Sequence, residues 1–381
     1  MKVILFIGHH KVGSTALQTF LAQNSVSLLR AGILYPSVDF QGCAVNMSRL
    51  LRGENDSEPL PINAREPHNA LAFRMIADQR KRGIPKWHAG VPATAQMLRA
   101  IKMQIRYLKP EAVILAAEVF SNFAVEAPSA ITQLAEIFEG DEVSIMATLR
   151  RVDDYLVSWH GQRLKFGQKI SPLRNTATRD YISSVHFDYQ LMLGKWFEEF
   201  PNADFVIRNY RDVLKSGGAC EDFMAQSGLT FPRGLATVAA ANPSLHPALH
   251  EIARIGNKEL TPDDAISLIN FLISFQPKLK LPDPRSIEMF GAENRKLMTK
   301  EFTRVHDYLC DKNKSDTFFP DIAEVSKARK ISELDAANKA LAKIQSKING
   351  SSPIRKIMPN SKVEITSEIR NLLMNISIEN R

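Results

Sequence analysis

Cysteine is scarce in this sequence. The 381 residues include three cysteines, Cys43, Cys220 and Cys310, separated by long stretches of chain. An odd number of cysteines at such wide spacing argues against a disulfide framework and against a zinc site. A chain without disulfides suits a reducing compartment, so we expect a cytoplasmic protein.

Long apolar runs are lacking as well. The apolar residues 3–7 are followed at once by Gly8-His9-His10-Lys11. This run is too short and too soon interrupted for the core of a signal peptide, so it predicts a buried strand instead. No other stretch is apolar over the length needed to cross a bilayer, and we expect no stable membrane insertion.

The sequence has an excess of basic over acidic residues. Its 49 Lys and Arg against 41 Asp and Glu give a formal net charge of +8. Such a balance favours anionic partners, although an ordinary basic surface would explain it equally well. No arginine-aromatic ladder or zinc-finger spacing indicates nucleic acid. No carboxylate cluster indicates a metal.

What the sequence does contain is a regular alternation of strand and helix patterns. Strands are predicted at residues 3–7, 112–117, 143–149 and 204–208. Helices are predicted at residues 14–24, 94–108, 129–138, 153–166 and 221–227. This alternation predicts a three-layer α/β fold with a central parallel sheet flanked by helices.

Two regions depart from this alternation. Residues 37–90 are polar and proline-containing, and they predict irregular structure apart from a short helix at 68–77. Residues 37–110 are therefore interpreted as an insertion into a domain that spans residues 1–325. Such surface insertions often form the pocket for an acceptor substrate.

The second region, residues 326–381, predicts a helical tail. Five apolar residues recur on one helical face: Ile331, Leu334, Leu341, Ile344 and Ile348. Residues 350–353 would stop this helix, and a last helix is predicted at 366–374. Self-association through this tail and simple packing of a C-terminal helix both explain the pattern.

The segment with the clearest chemistry is Gly8-His9-His10-Lys11-Val12-Gly13-Ser14-Thr15, between the first strand and the first helix. A loop in this position directs backbone N–H groups and a helix N-terminus at one point, which suits a phosphate-like anion. Lys11 adds positive charge, and Ser14 and Thr15 add hydroxyls. The loop is not a Walker A motif, because Lys11 precedes Gly13. A glycine turn that opens an ordinary helix is the alternative.

The longer run that ends in Ala16-Leu17-Gln18 resembles the 5′-phosphosulfate loop of the sulfotransferases that use 3′-phosphoadenosine 5′-phosphosulfate (PAPS). With Gly32-Ile33-Leu34-Tyr35-Pro36 further on, it is similar to the bacterial, carbohydrate-sulfotransferase-like branch. The resemblance covers roughly the first 230 residues. It implies a P-loop-like fold, PAPS as donor, adenosine 3′,5′-bisphosphate as product and no required metal. It also implies that the donor is bound by Lys11, Val12, Gly13, Ser14, Thr15 and Ala16.

A second candidate anchor is the pair Arg150 and Ser158. Arg150 ends a predicted strand, where α/β proteins hold their ligands, and Ser158 follows two helical turns later. Arginine and serine together suit a phosphate, and the spacing resembles the 3′-phosphate site of the sulfotransferases. Arg151 is the alternative if the register shifts by one residue. An ion pair with Asp153 or Asp154 is the other explanation for these arginines.

Glu118 is the candidate general base. It directly follows the apolar residues 112–117, so it should lie at the same sheet edge as the loop. A carboxylate there can accept a proton from an attacking hydroxyl, and the resemblance implies that role. Some members of the family have a lysine next, whereas Val119 follows here. A capping or ion-paired role is the alternative, and four histidines are rival bases: His9, His10, His68 and His160.

These features together predict a cytoplasmic PAPS-dependent sulfotransferase. It would transfer a sulfuryl group in line to a hydroxyl or amine of an acceptor, expected to be a saccharide or glycolipid. Lys11 and Glu118 would be its catalytic residues. A P-loop-type nucleotide kinase and a non-catalytic nucleotide-binding protein are the alternatives. A kinase needs an acidic magnesium ligand, for which Glu118 is the candidate. Asn242-x-Ser244 is a weaker match to the same sulfotransferase family. No segment is recognisable as the loop that wraps the adenine.

Overall fold

The computed structural model describes residues 1–53, 59–238, 243–349 and 366–378. Asn242 of the weak Asn242-x-Ser244 match and the predicted helix stop at 350–353 lie outside the described residues. No helix in the described ranges has the length and apolar character needed to cross a membrane.

A five-stranded parallel sheet forms the centre of the fold, with strand order β2-β3-β1-β4-β5. Its strands are β1 (Lys2–Phe6), β2 (Ile33–Leu34), β3 (Ala112–Ala116), β4 (Glu142–Leu149) and β5 (Asp204–Asn209). Two further short strands, β6 (Ile287–Glu288) and β7 (Ile331–Ser332), pair with each other. The predicted α/β fold with a central parallel sheet is confirmed, and β2 is an addition to the four predicted strands.

Helices separate the strands, as predicted. In the first half of the chain they are α1 (Ser14–Gln23), α2 (Ser25–Arg30), α3 (Phe40–Arg52), α4 (Ile62–Arg65), α5 (Pro67–Arg80), α6 (Thr94–Leu108), α7 (Phe123–Glu126), α8 (Pro128–Ile137) and α9 (Val152–Lys165). The second half has α10 (Thr178–Ile182), α11 (Tyr189–Glu199), α12 (Tyr210–Lys215), α13 (Ala219–Gln226), α14 (His250–Glu259), α15 (Pro262–Phe275), α16 (Gly291–Asn313), α17 (Glu333–Asn349) and α18 (Ser367–Asn375).

The contacts divide the chain into two compact units built from interleaved segments. The first contains Met1–Arg151, Asp188–Ala241 and Asp307–Phe319. The second contains Val152–Phe187, Asn242–His306 and Pro320–Arg381. This grouping differs from a boundary at residue 325, and the assignment of residues 1–325 to one sulfotransferase-like domain stays a prediction.

The central sheet is buried because its middle strands are apolar on both faces. Val3, Ile4 and Leu5 of β1 have no exposed surface. Phe6 lies edge-on to Phe223 of α13, with ring centroids 6.2 Å apart. Burial of one such side chain contributes about 1.5–3 kcal/mol, so this strand holds the sheet firmly between its helices.

The register of the sheet determines which loops meet. Phe6 at the end of β1 is opposite Ala116 of β3 on one side and Met146 of β4 on the other. Since all three strands are parallel, the segments that follow them emerge at the same edge. This edge therefore brings together the glycine-containing loop, Glu118 and Arg150.

The prediction that residues 37–90 are largely irregular is wrong, because α3, α4 and α5 occupy most of that stretch. One of these helices lacks the usual amphipathic signature, and another has its apolar face exposed. Helix α5 is buried over most of its length, and α3 exposes apolar residues such as Phe40 and Leu51. The helix predicted at 94–108 is confirmed as α6.

The predicted last helix is confirmed as α18, whose first turn is capped by the Thr366 hydroxyl. Helix α17 has its apolar face buried, with Ala337 and Ile344 wholly inaccessible. In the second unit, Gln345 also donates to the Leu373 carbonyl oxygen at 2.9 Å. This burial is what the packed-helix alternative expects, and a role of the tail in self-association stays a prediction.

Candidate functional site

The loop after β1 starts as a continuation of the sheet. The Ile7 N–H donates to the Met146 carbonyl at 2.9 Å, and the Thr148 N–H donates to the Gly8 carbonyl at 2.7 Å. The His9 N–H donates back to the Thr148 carbonyl at 3.0 Å. These bonds hold the start of the loop along β4, so its position is determined by the backbone.

Gly8 is required by a close approach of the loop to the backbone at Glu118. Its φ is +95°, and a Cβ atom there would lie 3.0 Å from the Glu118 Cα atom and 3.1 Å from the Glu118 carbonyl oxygen. Any larger residue would push the two segments apart. The loop and the candidate base are thus in direct backbone contact.

Gly13 forms the N-cap of α1 in the left-handed conformation, with φ +90°. A Cβ atom on it would lie 2.8 Å from the Cβ atom of Ala219. Within the part of the chain that the structure describes, no side chain caps the N-terminus of α1, and its first-turn N–H groups, from Ser14 to Ala16, have no side-chain acceptor. Such a turn favours an anion, and Lys11 is two residues before Gly13.

Glu118 is held through both of its carboxylate oxygens. The Ser14 hydroxyl donates to Glu118 Oε2, and His10 Nδ1 lies 3.3 Å from Oε1. The Glu118 side chain is about 24% exposed and that of His10 about 9%. The site therefore fixes the orientation of a carboxylate that still reaches the surface.

The charge on Glu118 follows from these contacts. Burial raises the pKa of the Glu118 carboxyl, but the charges of His10 and Lys11 and the hydrogen bonds from His10 and Ser14 lower it by more. The net result is a pKa below the usual range for glutamate. Glu118 is therefore a carboxylate at neutral pH, as a proton acceptor must be.

His10 is placed by contacts on both ring nitrogens. Its Nε2 lies 3.4 Å from Asn122 Nδ2, while Nδ1 faces Glu118. The His9 ring packs edge-on against it, with centroids 5.6 Å apart, and is fully buried. His10 is thus the histidine beside the candidate base, and it orients Glu118.

Arg150 lies at the loop, immediately after β4. Its Nη1 donates to the Lys11 carbonyl oxygen at 3.1 Å, and its guanidinium lies 4.8 Å from the Tyr210 ring centroid. The Tyr189 hydroxyl donates to the Arg150 carbonyl oxygen at 2.6 Å. Arg150 is therefore fixed with its charge next to Lys11.

Arg151 and Ser158 are the other residues considered for the 3′-phosphate site. Arg151 is buried in the first unit, with 7% of its surface exposed. Ser158 belongs to the second unit, where it is partly exposed on α9. Asp153 forms an ion pair with Arg329 at 3.2 Å in that unit.

Two of the rival bases, His68 and His160, have buried rings. The His68 ring is fully buried, and its Nδ1 accepts the Ala116 N–H at 3.1 Å. Burial lowers the pKa of His68 to about 3. In the second unit, burial lowers the pKa of His160 well below its usual range, with further contributions from His250 and Arg163. The buried His68 ring is therefore not available as a base at the loop.

Asn122, Tyr189 and Tyr210 are site residues that the sequence did not reveal. Asn122 lies in the same short 3-10 turn as Glu118, and Tyr210 follows β5, which pairs with β4. The sequence signal that would have indicated Tyr210 is its position directly after a predicted strand. Within the described ranges, no group of three or more His, Cys, Asp or Glu side chains is placed to hold a metal ion.

Comparisons with known proteins leave the family open. No family model matches the chain, and no solved structure matches it. A protein of Archaeoglobus fulgidus described as uncharacterized is 28% identical over 164 residues. The match covers 42% of this chain and 43% of the archaeal protein, so the chain spans less than half the length of that relative.

Proposed function

We propose that this protein is a PAPS-dependent sulfotransferase with a P-loop-like fold. The observation that supports it best is the shared sheet edge. There, an uncapped helix N-terminus with Lys11 and Arg150 beside it adjoins an oriented carboxylate, Glu118. An anion-binding loop next to a proton acceptor is what group transfer from an anionic donor to a hydroxyl or amine requires.

The loop and Arg150 suit a ligand with two anionic groups, as PAPS has. The first-turn N–H groups of α1 suit the phosphosulfate end, and Lys11 adds charge to the same loop. Arg150, held beside Lys11, suits a second phosphate. The assignment of Ser158 to this phosphate stays a prediction from the sequence. When bound, PAPS would supply the sulfuryl group. We propose that Val12, Gly13, Ser14, Thr15 and Ala16 complete the donor site.

The chain's own groups would share the work as follows. Glu118 accepts the proton of the acceptor hydroxyl or amine, since it is ionised and partly exposed. Ser14 and His10 hold its two oxygens and so restrict its orientation. Lys11 places positive charge where negative charge develops on the donor side. This scheme needs no metal ion.

A nucleotide kinase is the second candidate, because a P-loop kinase holds Mg²⁺ with a loop hydroxyl and an acidic side chain, and the Ser14 hydroxyl contacts Glu118. Magnesium-dependent turnover of ATP would support the kinase instead. A saccharide or glycolipid acceptor, and a cytoplasmic location, are further parts of the proposal.

The two-anchor site makes a binding prediction. Adenosine 3′,5′-bisphosphate should bind at least tenfold more tightly than AMP, because Arg150 engages the 3′-phosphate and a charge-assisted contact is worth ~1.5–3 kcal/mol. Arg150→Ala should remove most of that preference and leave the weaker binding of adenosine 5′-phosphosulfate nearly unchanged. Isothermal calorimetry measures all three affinities.

The control for this experiment is Arg30→Ala, which removes an exposed arginine at the end of α2. It should leave the preference intact. Equal affinities for the bisphosphate and AMP in the unmodified protein would refute the two-anchor site. A selective loss in Arg151→Ala, with Arg150→Ala normal, would move the anchor by one residue.

A further inference from the structure

Helix α3 is amphipathic, but its apolar face is exposed to solvent and its polar face packs inward. Phe40, Met47 and Leu51 are 86%, 63% and 82% exposed, and the exposed Ala44 completes the same helical stripe. Leu50 adds a half-exposed neighbour. Since the apolar face of a soluble helix normally packs inward, this outward stripe indicates a surface made for contact.

The polar face of α3 is fastened to the body of the first unit. Arg49 is buried, with 7% of its surface exposed, and it donates to the carbonyl oxygens of Ala22 and Gln23. Asn46 accepts from the Ser25 hydroxyl at 2.9 Å. These polar contacts fix the helix with its apolar stripe outward.

A basic helix, α6, is hydrogen-bonded to the segment that leads into α3. Ser37, just before α3, exchanges two hydrogen bonds with Gln104 of α6: its N–H donates at 3.0 Å and its carbonyl oxygen accepts at 2.6 Å. The outward face of α6 carries five exposed residues at helical spacing: Arg99, Lys102, Met103, Arg106 and Tyr107. Met97 and Ile101 on the opposite face are buried.

The stretch of sequence that contains α6 carries charge of one sign. Residues 79–110 contain eight lysines and arginines and no aspartate or glutamate. Arg80 and Arg82 both pair with Glu126, at 3.3 and 3.2 Å. In contrast, no ion pair joins Arg99, Lys102 or Arg106 to an acidic side chain among the residues the structure describes. The outward face of α6 is therefore cationic and aromatic.

We propose that α3 and α6 form a docking surface for an anionic lipid bilayer. The apolar stripe of α3 would enter the interfacial region, while the cations of α6 meet lipid headgroups. A soluble polyanion would use the cations but not the apolar stripe. A second copy of this chain would bring like-charged helices together. The bilayer is the partner that uses both features, and the proposal does not depend on sulfuryl transfer.

The test is flotation of the full-length protein with phosphatidylcholine vesicles, with and without phosphatidylserine. Binding should require the anionic lipid and weaken as salt is raised, because each cation at such a surface contributes roughly fivefold. Phe40→Ser/Met47→Ser/Leu51→Ser should lower binding at least tenfold through lost burial of apolar side chains. Lys102→Gln/Arg106→Gln should lower it roughly tenfold or more and reduce its salt dependence.

The matched control is Leu214→Ser/Lys215→Gln, which removes an exposed apolar residue and an exposed cation from α12. It should bind vesicles like the unmodified protein, and circular dichroism should show that every variant is folded. Vesicle binding that is absent, or is unchanged in both surface variants, would overturn the proposal. So would lipid-free dimerisation that the α3 variant abolishes, or retention on heparin without vesicle binding.

Discussion

Glu118→Gln should leave the affinity for adenosine 3′,5′-bisphosphate nearly unchanged and lower turnover by roughly 10²–10⁴, the usual worth of general base catalysis. The substitution keeps the shape of the side chain and a hydrogen-bond acceptor for the Ser14 hydroxyl. It removes the negative charge that accepts the proton. Turnover with labelled PAPS and calorimetry with the bisphosphate measure the two effects separately.

Glu139→Gln, at an exposed position after α8, is the control and should behave as the unmodified protein. A Glu118→Gln protein with near-normal turnover would remove Glu118 from the mechanism. His10 would then be the next base to test, ahead of the buried His68 and His160.

The pH dependence distinguishes these bases. The pKa of Glu118 lies below its usual range because His10, Ser14 and Lys11 outweigh the effect of burial. The ionised form therefore persists as the pH falls, and turnover should hold until the pH is below the ordinary glutamate value of about 4.3. A histidine base with an ordinary pKa would lose turnover near pH ~6.5 instead. The measurement is turnover against pH at saturating donor.

Lys11→Ala should lower turnover by roughly 10²–10³, the cost of removing one donor from a preorganised site. Unlike Glu118→Gln, it should also weaken bisphosphate binding about tenfold or more, because its charge meets the nucleotide before reaction. Lys11 has φ +61°, and alanine has the same Cβ atom, so the strain of that conformation is unchanged. The same two assays apply.

Lys314→Ala is the matched control, since Lys314 also has a positive φ, at 49°, and is exposed. It should reproduce any cost of the backbone conformation without loss of turnover or affinity. Unchanged bisphosphate affinity in Lys11→Ala would contradict the assignment of Lys11 to the donor site. Lys11→Arg, which keeps the charge, should restore part of the binding.

The Ser14–Glu118 contact links two roles that the sequence analysis kept apart. Ser14 was assigned to the donor and Glu118 to the acceptor, yet the Ser14 hydroxyl donates to the Glu118 carboxylate. A single hydroxyl at the head of α1 thus touches the proposed base and lies beside the first-turn amides. The proposed donor loop and the proposed base are therefore in direct contact at the same edge of the sheet.

Much of the fold could be predicted because buried parallel strands are apolar on both faces. Residues 112–117 and 143–149 are such runs, and the structure has β3 and β4 there. Strand β2 was missed because Ile33–Leu34 is too short for a pattern. Helix α3 was missed although its apolar residues recur at helical spacing, because residues 37–90 were interpreted from their polar and proline-containing composition as a whole.

From the sequence, only the site residues that follow predicted strands could be located. Gly13, Glu118 and Arg150 could be placed at one edge because they follow parallel strands. The partners Asn122 and Tyr210 could not, since their contacts depend on how the following turns fold back. Which neighbouring histidine faces the carboxylate is likewise decided by the loop backbone and not by the residue type.

The most direct test of the central claim is sulfuryl transfer itself. The purified protein, PAPS labelled in its sulfuryl group and a panel of glycan and glycolipid acceptors should give labelled acceptor and adenosine 3′,5′-bisphosphate in equal amounts. This transfer should persist in a metal chelator, and Glu118→Gln should abolish most of it. Failure to consume PAPS with every acceptor, together with magnesium-dependent phosphoryl transfer from ATP, would contradict the account.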